Sequence, residues 1–210
     1  MLRNIIWDVD GTLFDTYPSI AKSFKAALNE LGVDAPLDWI QELARESLGH
    51  CAIVLSEQYH LERNDLEKAF TEHYSRVAGD EGSPFPGVLE VCRYICAIGG
   101  KNIIVTHRGL KGTLELLAAH NMTDYFAGCL TRDDGYPRKP DPAIFEAAIA
   151  KYHLKPEETL TVGDREIDIA AGQAAGILSC FYGTTSENVK ADLVISNFED
   201  LYRFLKGDNE

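Results

Sequence analysis

The sequence has no apolar run approaching the roughly 18 residues that a membrane-spanning helix needs. Its opening residues, Met1 to Asp8, hold no apolar stretch of signal-peptide length. Internal repeats and low-complexity tracts are missing. Basic residues are scarce: 20 Lys and Arg against 33 Asp and Glu give a formal net charge of −13. A surface of that sign repels phosphate backbones and anionic lipid, so it argues against nucleic-acid and membrane partners. Cysteine pairs of metal or redox spacing are also missing. The cysteines, at 51, 92, 96, 129 and 180, form no CxxC and are odd in number, as expected of reduced thiols in a cytoplasmic protein. Cys92 and Cys96 lie in an apolar helical stretch and are expected in the core.

What is present suits an ordinary globular protein. At 210 residues, 45% apolar and 25% charged, the chain suits one compact domain or a core domain with a modest insertion. Two rhythms divide it. Arg3 to Asp8 is a short apolar run ending in acid, which predicts a strand. Residues 16–79 then read as wholly helical. Ile20, Phe24, Ala27, Leu28 and Leu31 share one helical face that Gly32 ends. Helices are expected over 37–48 and 51–60, broken near Gly49, and another start at Asn64-Asp65-Leu66-Glu67. Asp15 is a candidate cap for the first of these helices. From Pro86 onward strands and helices alternate. Strands are expected at 102–106, 127–131, 159–163, 177–182 and 192–195, and helices at 87–98, 109–120, 142–153, 166–175 and 198–206. Asp141-Pro142 offers an N-cap with Pro at the first helical position, and Gly176 a left-handed C-terminal residue. Such alternation means parallel strands with right-handed crossovers. The fold class is therefore α/β, a doubly wound parallel sheet with an all-helical insertion after its first strand.

In such sheets ligands bind outside the carboxyl ends of the strands. The first strand ends Asp8-Val9-Asp10-Gly11-Thr12, the second Val105-Thr106-His107. Lys139-Pro140 lies in the loop after the third, and the fourth ends Gly163-Asp164 with Asp168 one helical turn on. Carboxylates, a hydroxyl and an ammonium are thus gathered at one edge. Clustered carboxylates need a cation, and hard oxygen ligands without His or Cys suit Mg²⁺. An aspartate there can attack phosphorus and form an aspartyl-phosphate, while a second one donates and later accepts a proton. Gly11 lets the backbone approach a phosphate, Thr106 can hydrogen-bond it, and Lys139 offsets its charge. Each also has a plainer reading. Asp8 and Asp10 could end a strand and cap a turn, Thr106 could simply close a strand, and Asp168 could serve the helix macrodipole.

Asp8-Val9-Asp10-Gly11-Thr12-Leu13, Thr106, Lys139-Pro140 and Gly163-Asp164-x-x-x-Asp168 resemble the four motifs of the haloacid dehalogenase superfamily, in the family's order and spacing across the whole chain. The helical insertion resembles the cap of the phosphoglycolate phosphatase and β-phosphoglucomutase type. The resemblance implies domains of 1–15 with 84–210 (core) and 16–83 (cap), hinged at 14–17 and 79–84. It implies a Mg²⁺-dependent phosphatase of small phosphorylated metabolites, with Asp8 as nucleophile and Asp10 as general acid/base. Asp8, the carbonyl of Asp10, and Asp164 would hold the metal, with Asp168 in or beside that shell. Gly11, Thr12, His107 and Arg108 would line the substrate, joined by Arg45 and His50 of the cap, whose other reading is exposed helix surface. The second motif departs from the family: it reads Thr106-His107-Arg108, where many relatives have Asn after the hydroxyl residue. Members that cleave carbon–halogen bonds lack the second acid of the first motif, and Asp10 is present. A phosphomutase and a non-catalytic phosphate-binding regulator are the alternatives. The sequence shows no sign of its oligomeric state, whether monomer or weak dimer.

Overall fold

A computed structural model of the chain describes residues 1–77, 79–184 and 189–207. It divides the chain into two compact units: Met1–Phe14 with Pro84–Glu210, and Asp15–Ser83. The first strand is β1 (Asn4–Trp7), and four helices follow: α1 (Tyr17–Glu30), α2 (Leu37–Glu46), α3 (Leu48–Tyr59) and α4 (Arg63–Ser75). Then come α5 (Val88–Ala97), β2 (Lys101–Val105), α6 (Leu110–Ala119) and β3 (Phe126–Leu130). The chain ends with α7 (Ala143–Lys151), β4 (Thr159–Gly163), α8 (Glu166–Ala174), β5 (Leu178–Tyr182), β6 (Leu193–Ile195) and α9 (Phe198–Lys206).

The six strands form one parallel sheet in the order β3-β2-β1-β4-β5-β6. Strand β1 is fully buried, and its side chains alternate between the two faces as the pleat requires. Ile5 and Trp7 pack with α5, α6 and α9 through Val88, Val91, Ile95, Leu116, Leu117, Phe198 and Leu201. Ile6 faces the other way, toward Ile144, Phe145 and Ala148 of α7 and Ala171 of α8. With both faces covered, the strands read as short continuous apolar runs. The polar atoms of the buried Trp7 and Asn102 side chains are matched: Trp7 Nε1 donates to Asn102 Oδ1 at 3.0 Å, and Asn102 Nδ2 donates to the Cys92 and Tyr125 carbonyls, each at 3.0 Å. An unpaired buried amide would cost about 1–3 kcal/mol, so this network makes a central tryptophan tolerable. The strand order reverses between β1 and β4, which places the carboxyl ends of β1, β2 and β4 side by side at the switch point.

The helical unit has its own core. Ile20, Phe24, Ala27 and Leu28 of α1 meet Ile40, Cys51, Leu55, Leu66 and Phe70, and the Phe24 and Phe70 rings stack at 4.0 Å. Several boundaries differ from those expected. The break between α2 and α3 falls at Ser47, not Gly49. Ser47 is extended (φ −174°) and its side chain accepts from His50 N, so a serine N-cap outcompetes the glycine, which sits inside α3. Helix α4 begins at Arg63, one residue before the expected start. Thr16 rather than Asp15 holds the N-cap position of α1, without a side-chain cap bond. Pro142 takes the N-cap position of α7, and Asp141 Oδ1 instead accepts from Ala143 N at 2.9 Å. Cys92 is buried as expected, but Cys96 is exposed, because it lies off the buried face of α5. Among the described residues no helix is long and apolar enough to cross a membrane.

Candidate active site

The chain turns sharply beyond β1. The amides of Thr12, Leu13 and Phe14 all reach the Val9 carbonyl, and Gly11 N donates to the Phe14 carbonyl at 2.9 Å. Gly11 has φ +83°, a left-handed conformation that glycine adopts at no steric cost. The turn leaves Asp8 in strand register, its N–H bonded to the Val162 carbonyl at 3.0 Å and its carboxylate buried.

Lys139 reaches the same point from the loop after β3. Its ammonium is wholly buried and donates to Asp8 Oδ1 at 2.6 Å, Asp168 Oδ1 at 2.5 Å and the Val105 carbonyl at 3.1 Å. Three protons meet three acceptors, which is how an ammonium can be carried in the interior. Burial works against its charge, yet Asp168 and Asp8 together outweigh burial and hold its pKa above the ordinary lysine value. Asp168 stands at the third position of α8, and its side chain also reaches back to accept from the N-cap amide, Arg165 N, at 3.2 Å. Burial would raise its pKa, but Lys139 and Arg165 prevail and keep it below the usual carboxylate range. Gly163 permits this approach, since a Cβ there would stand 2.3 Å from Asp168 Cβ.

Asp164 completes the group. Its Oδ1 accepts from the hydroxyl of the buried Thr12 at 3.2 Å. One carboxylate oxygen from each of Asp8, Asp164 and Asp168 lies within 4.8 Å of the others. Asp8 is the uncompensated member. Its Oδ2 is buried with no hydrogen-bond partner. Burial, only partly opposed by Lys139 and reinforced by the charge of Asp168, pushes its pKa up to about 6. The cations the chain supplies are therefore not enough for this carboxylate. An all-oxygen donor set with an orphaned buried acceptor fits a hard divalent cation such as Mg²⁺.

The second strand contributes three consecutive residues. Thr106 is buried, and its Oγ1 accepts from Arg108 N at 3.1 Å. His107 Nε2 accepts from Lys139 N at 2.9 Å, so it fixes the backbone that carries the lysine. Burial, with the nearby charges of Lys139, Arg138 and Arg165, lowers its pKa to about 3 and keeps the ring a neutral acceptor. Arg108 Nη1 donates to Asp10 Oδ1 at 2.9 Å. The structure thus brings together Asp8, Asp10, Gly11, Thr12, Thr106, His107, Arg108, Lys139, Asp164 and Asp168 within the sheet unit. Arg45 and His50 belong to the helical unit and are engaged there: Arg45 lies over the Tyr17 ring at 4.9 Å, and His50 Nε2 pairs with Glu46 Oε2 at 3.1 Å. Sequence reasoning missed Arg165 and the steric role of Gly163. Their adjacency to Asp164 was the available signal.

Comparison with known proteins settles the kinship of this arrangement. Residues 5–182 match the family model described as haloacid dehalogenase-like hydrolase. The chain belongs to the haloacid dehalogenase-like hydrolase family. A phosphoglycolate phosphatase of Mesorhizobium japonicum is 31% identical to this hydrolase over 212 residues, covering 94% of this chain and 92% of that protein. A crystal structure from Haemophilus somnus 129PT, described as a predicted phosphoglycolate phosphatase, superposes with a TM-score of 0.86 at 23% identity, over 97% of this chain and 98% of that one. CbbY of Rhodobacter sphaeroides, crystallised with xylulose-(1,5)bisphosphate, gives a TM-score of 0.78 at 22% identity over 96% of each chain. At those identities the two structures speak for the fold, a parallel sheet flanked by helices, which this hydrolase shares with them.

Proposed function

We propose that this hydrolase is a Mg²⁺-dependent phosphatase of small phosphorylated metabolites, with 2-phosphoglycolate as its first candidate substrate. The observation that carries the reading is the Asp8 carboxylate. One oxygen is held by Lys139, the other is buried and unpartnered, and the carboxylate clusters with those of Asp164 and Asp168. The phosphoglycolate phosphatases among its relatives support the substrate class. Asp8, Asp164 and the Asp10 carbonyl would hold the metal, which would supply positive charge against the transferring phosphoryl group. Asp168 stands beside that set and keeps Lys139 in place.

The residues divide the work. Asp8 attacks phosphorus as the bond to the leaving oxygen breaks, giving an aspartyl-phosphate. Asp10 gives its proton to that oxygen, then takes one from the water that attacks phosphorus and releases inorganic phosphate. Lys139 offsets the charge shared by nucleophile and phosphoryl oxygens, and the Thr106 hydroxyl offers them a hydrogen bond. Gly11 and Thr12 shape the loop along which the phosphate lies, and His107 holds the Lys139 backbone. A cytoplasmic location is part of the same reading, supported by the unpaired cysteines.

The test is phosphate release from 2-phosphoglycolate with Mg²⁺, with EDTA, and with the Asp8→Asn variant. Release is expected only from the wild type with Mg²⁺. Near wild-type turnover by Asp8→Asn would remove Asp8 from the nucleophile's role, and undiminished turnover in EDTA would remove the metal.

A further inference from the structure

Arg108 is a buried cation outside the lysine-centred group, and it is held from several directions. Its N–H donates to Thr106 Oγ1 at 3.1 Å, and its carbonyl accepts from Arg132 N at 3.3 Å. Its side chain is only 8% exposed and lies against the first turn of α6, over Gly112. A Cβ at 112 would stand 3.3 Å from Arg108 Nε and 3.6 Å from Nη2, so the missing side chain makes room for the guanidinium. From this seat Nη1 reaches Asp10 Oδ1 at 2.9 Å. A guanidinium is planar and permanently charged, so it fixes the direction of a carboxylate as well as its distance. Asp8 and Asp168 are tied to Lys139, whereas Asp10 is tied to Arg108.

We infer that Arg108 is a positioning residue for Asp10: it aims the carboxyl group that exchanges a proton with the leaving oxygen, and Gly112 keeps the guanidinium in place to do so. The inference rests on the phosphatase reading above. Its signature is a dependence on the leaving group. When an alkyl phosphate is cleaved, the phosphorus–oxygen bond breaks and the departing alkoxide takes the Asp10 proton. p-Nitrophenolate departs as a stable anion and needs no proton. Asp10 also serves the later attack of water, which all esters share, so the comparison is made in kcat/KM, which covers the steps only through departure of the leaving group. Misplacing the acid lowers kcat/KM for alkyl esters and spares the aryl ester, whereas a general loosening of the site lowers both.

The experiment measures kcat and KM with Mg²⁺ for 2-phosphoglycolate, glycerol 1-phosphate and p-nitrophenyl phosphate. The proteins are the wild type, Arg108→Met, Arg108→Lys and Gly112→Ala. For Arg108→Met, kcat/KM on both alkyl esters should fall about 100-fold, the lower end of what general acid–base catalysis contributes, with a much smaller fall on the aryl ester. Arg108→Lys should recover part of the loss. Gly112→Ala should show the same selectivity to a lesser degree while melting no lower than the wild type, because alanine favours a helix interior. Equal losses in kcat/KM on all three esters, or near wild-type kcat/KM on the alkyl esters by Arg108→Met, would overturn the inference and leave the phosphatase reading standing. A KM rise confined to 2-phosphoglycolate would overturn it as well, since Arg108 would then be receiving the substrate's carboxylate. A wild type that releases phosphate from none of the three esters would overturn the phosphatase reading, and the inference with it.

Discussion

The Asp8→Asn variant should be more stable than the wild type when no metal is bound. The native environment charges Asp8 a penalty: its pKa rises from 3.8 to about 6, mainly through burial. That difference corresponds to about 3 kcal/mol of native-state destabilisation once the carboxylate is fully ionised. Asparagine keeps an oxygen for Lys139 and carries no charge, and Lys139 keeps Asp168 as its counter-ion. The sign follows from proton counting. Between pH 4 and 6 the folded wild type binds more protons than the unfolded chain, so its stability falls as pH rises through that window and stays low above it. The variant has no such term. In EDTA the two should therefore melt together near pH 4 and separate across pH 4–6. Above pH 7 the gap should be about 6–12 °C for a chain of this size, from about 2–4 °C per kcal/mol. Saturating Mg²⁺ should narrow the gap, because a ligand that binds the native carboxylate stabilises the wild type. Differential scanning fluorimetry over pH, with and without Mg²⁺, makes the measurement. A variant less stable than the wild type at pH 8 in EDTA, or a gap independent of pH, would refute the claim that Asp8 is an under-compensated buried charge.

Two further outcomes follow from the same group of residues. His107→Gln keeps an acceptor for Lys139 N but cannot protonate; because the native imidazole pKa lies near 3, the wild type should lose stability as pH falls below about 6.5, whereas the variant should lose less in urea melts compared at pH 5 and pH 7.5. Gly163→Ala puts a methyl 2.3 Å from Asp168 Cβ and 2.8 Å from its Oδ2, so the first turn of α8 must shift. It should cost about 1–3 kcal/mol in chemical denaturation, together with a fall in kcat as Asp168 loosens its hold on Lys139.

The fold class was legible because alternating apolar runs and helical stretches leave few topologies, and right-handed crossovers put the carboxyl ends of parallel strands on one edge. That made Asp8, Thr106, Lys139 and Asp164 readable as neighbours although they are spread over most of the chain. The strand order β3-β2-β1-β4-β5-β6 was not readable, since it depends on which buried runs pair at long range and local pattern is silent on that. The break at Ser47 was misplaced because glycine and serine two residues apart both signal a helix boundary, and only the side-chain bond to His50 N decides between them. At the site, sequence supplied residue types but not partners. Thr106-His107-Arg108 stood out as unusual, yet nothing local shows that His107 turns to the Lys139 backbone or that Arg108 reaches Asp10, 98 residues away in sequence. The exposure of Cys96 was missed for a simpler reason: an apolar helix buries one face, and that residue lies off it.

Lys139 has three protons, and all three are in use. A phosphate oxygen can approach this ammonium only by replacing one of its partners. The Val105 carbonyl is fixed in strand β2, and Asp168 is also fastened to the Arg165 amide. Asp8 is the partner with a second, unpartnered oxygen. On the phosphatase reading an arriving phosphate would take over the proton now held by Asp8 Oδ1, while Oδ2 has no hydrogen bond to give up: the lysine pins one end of the nucleophile, and the other end needs no release before it reacts.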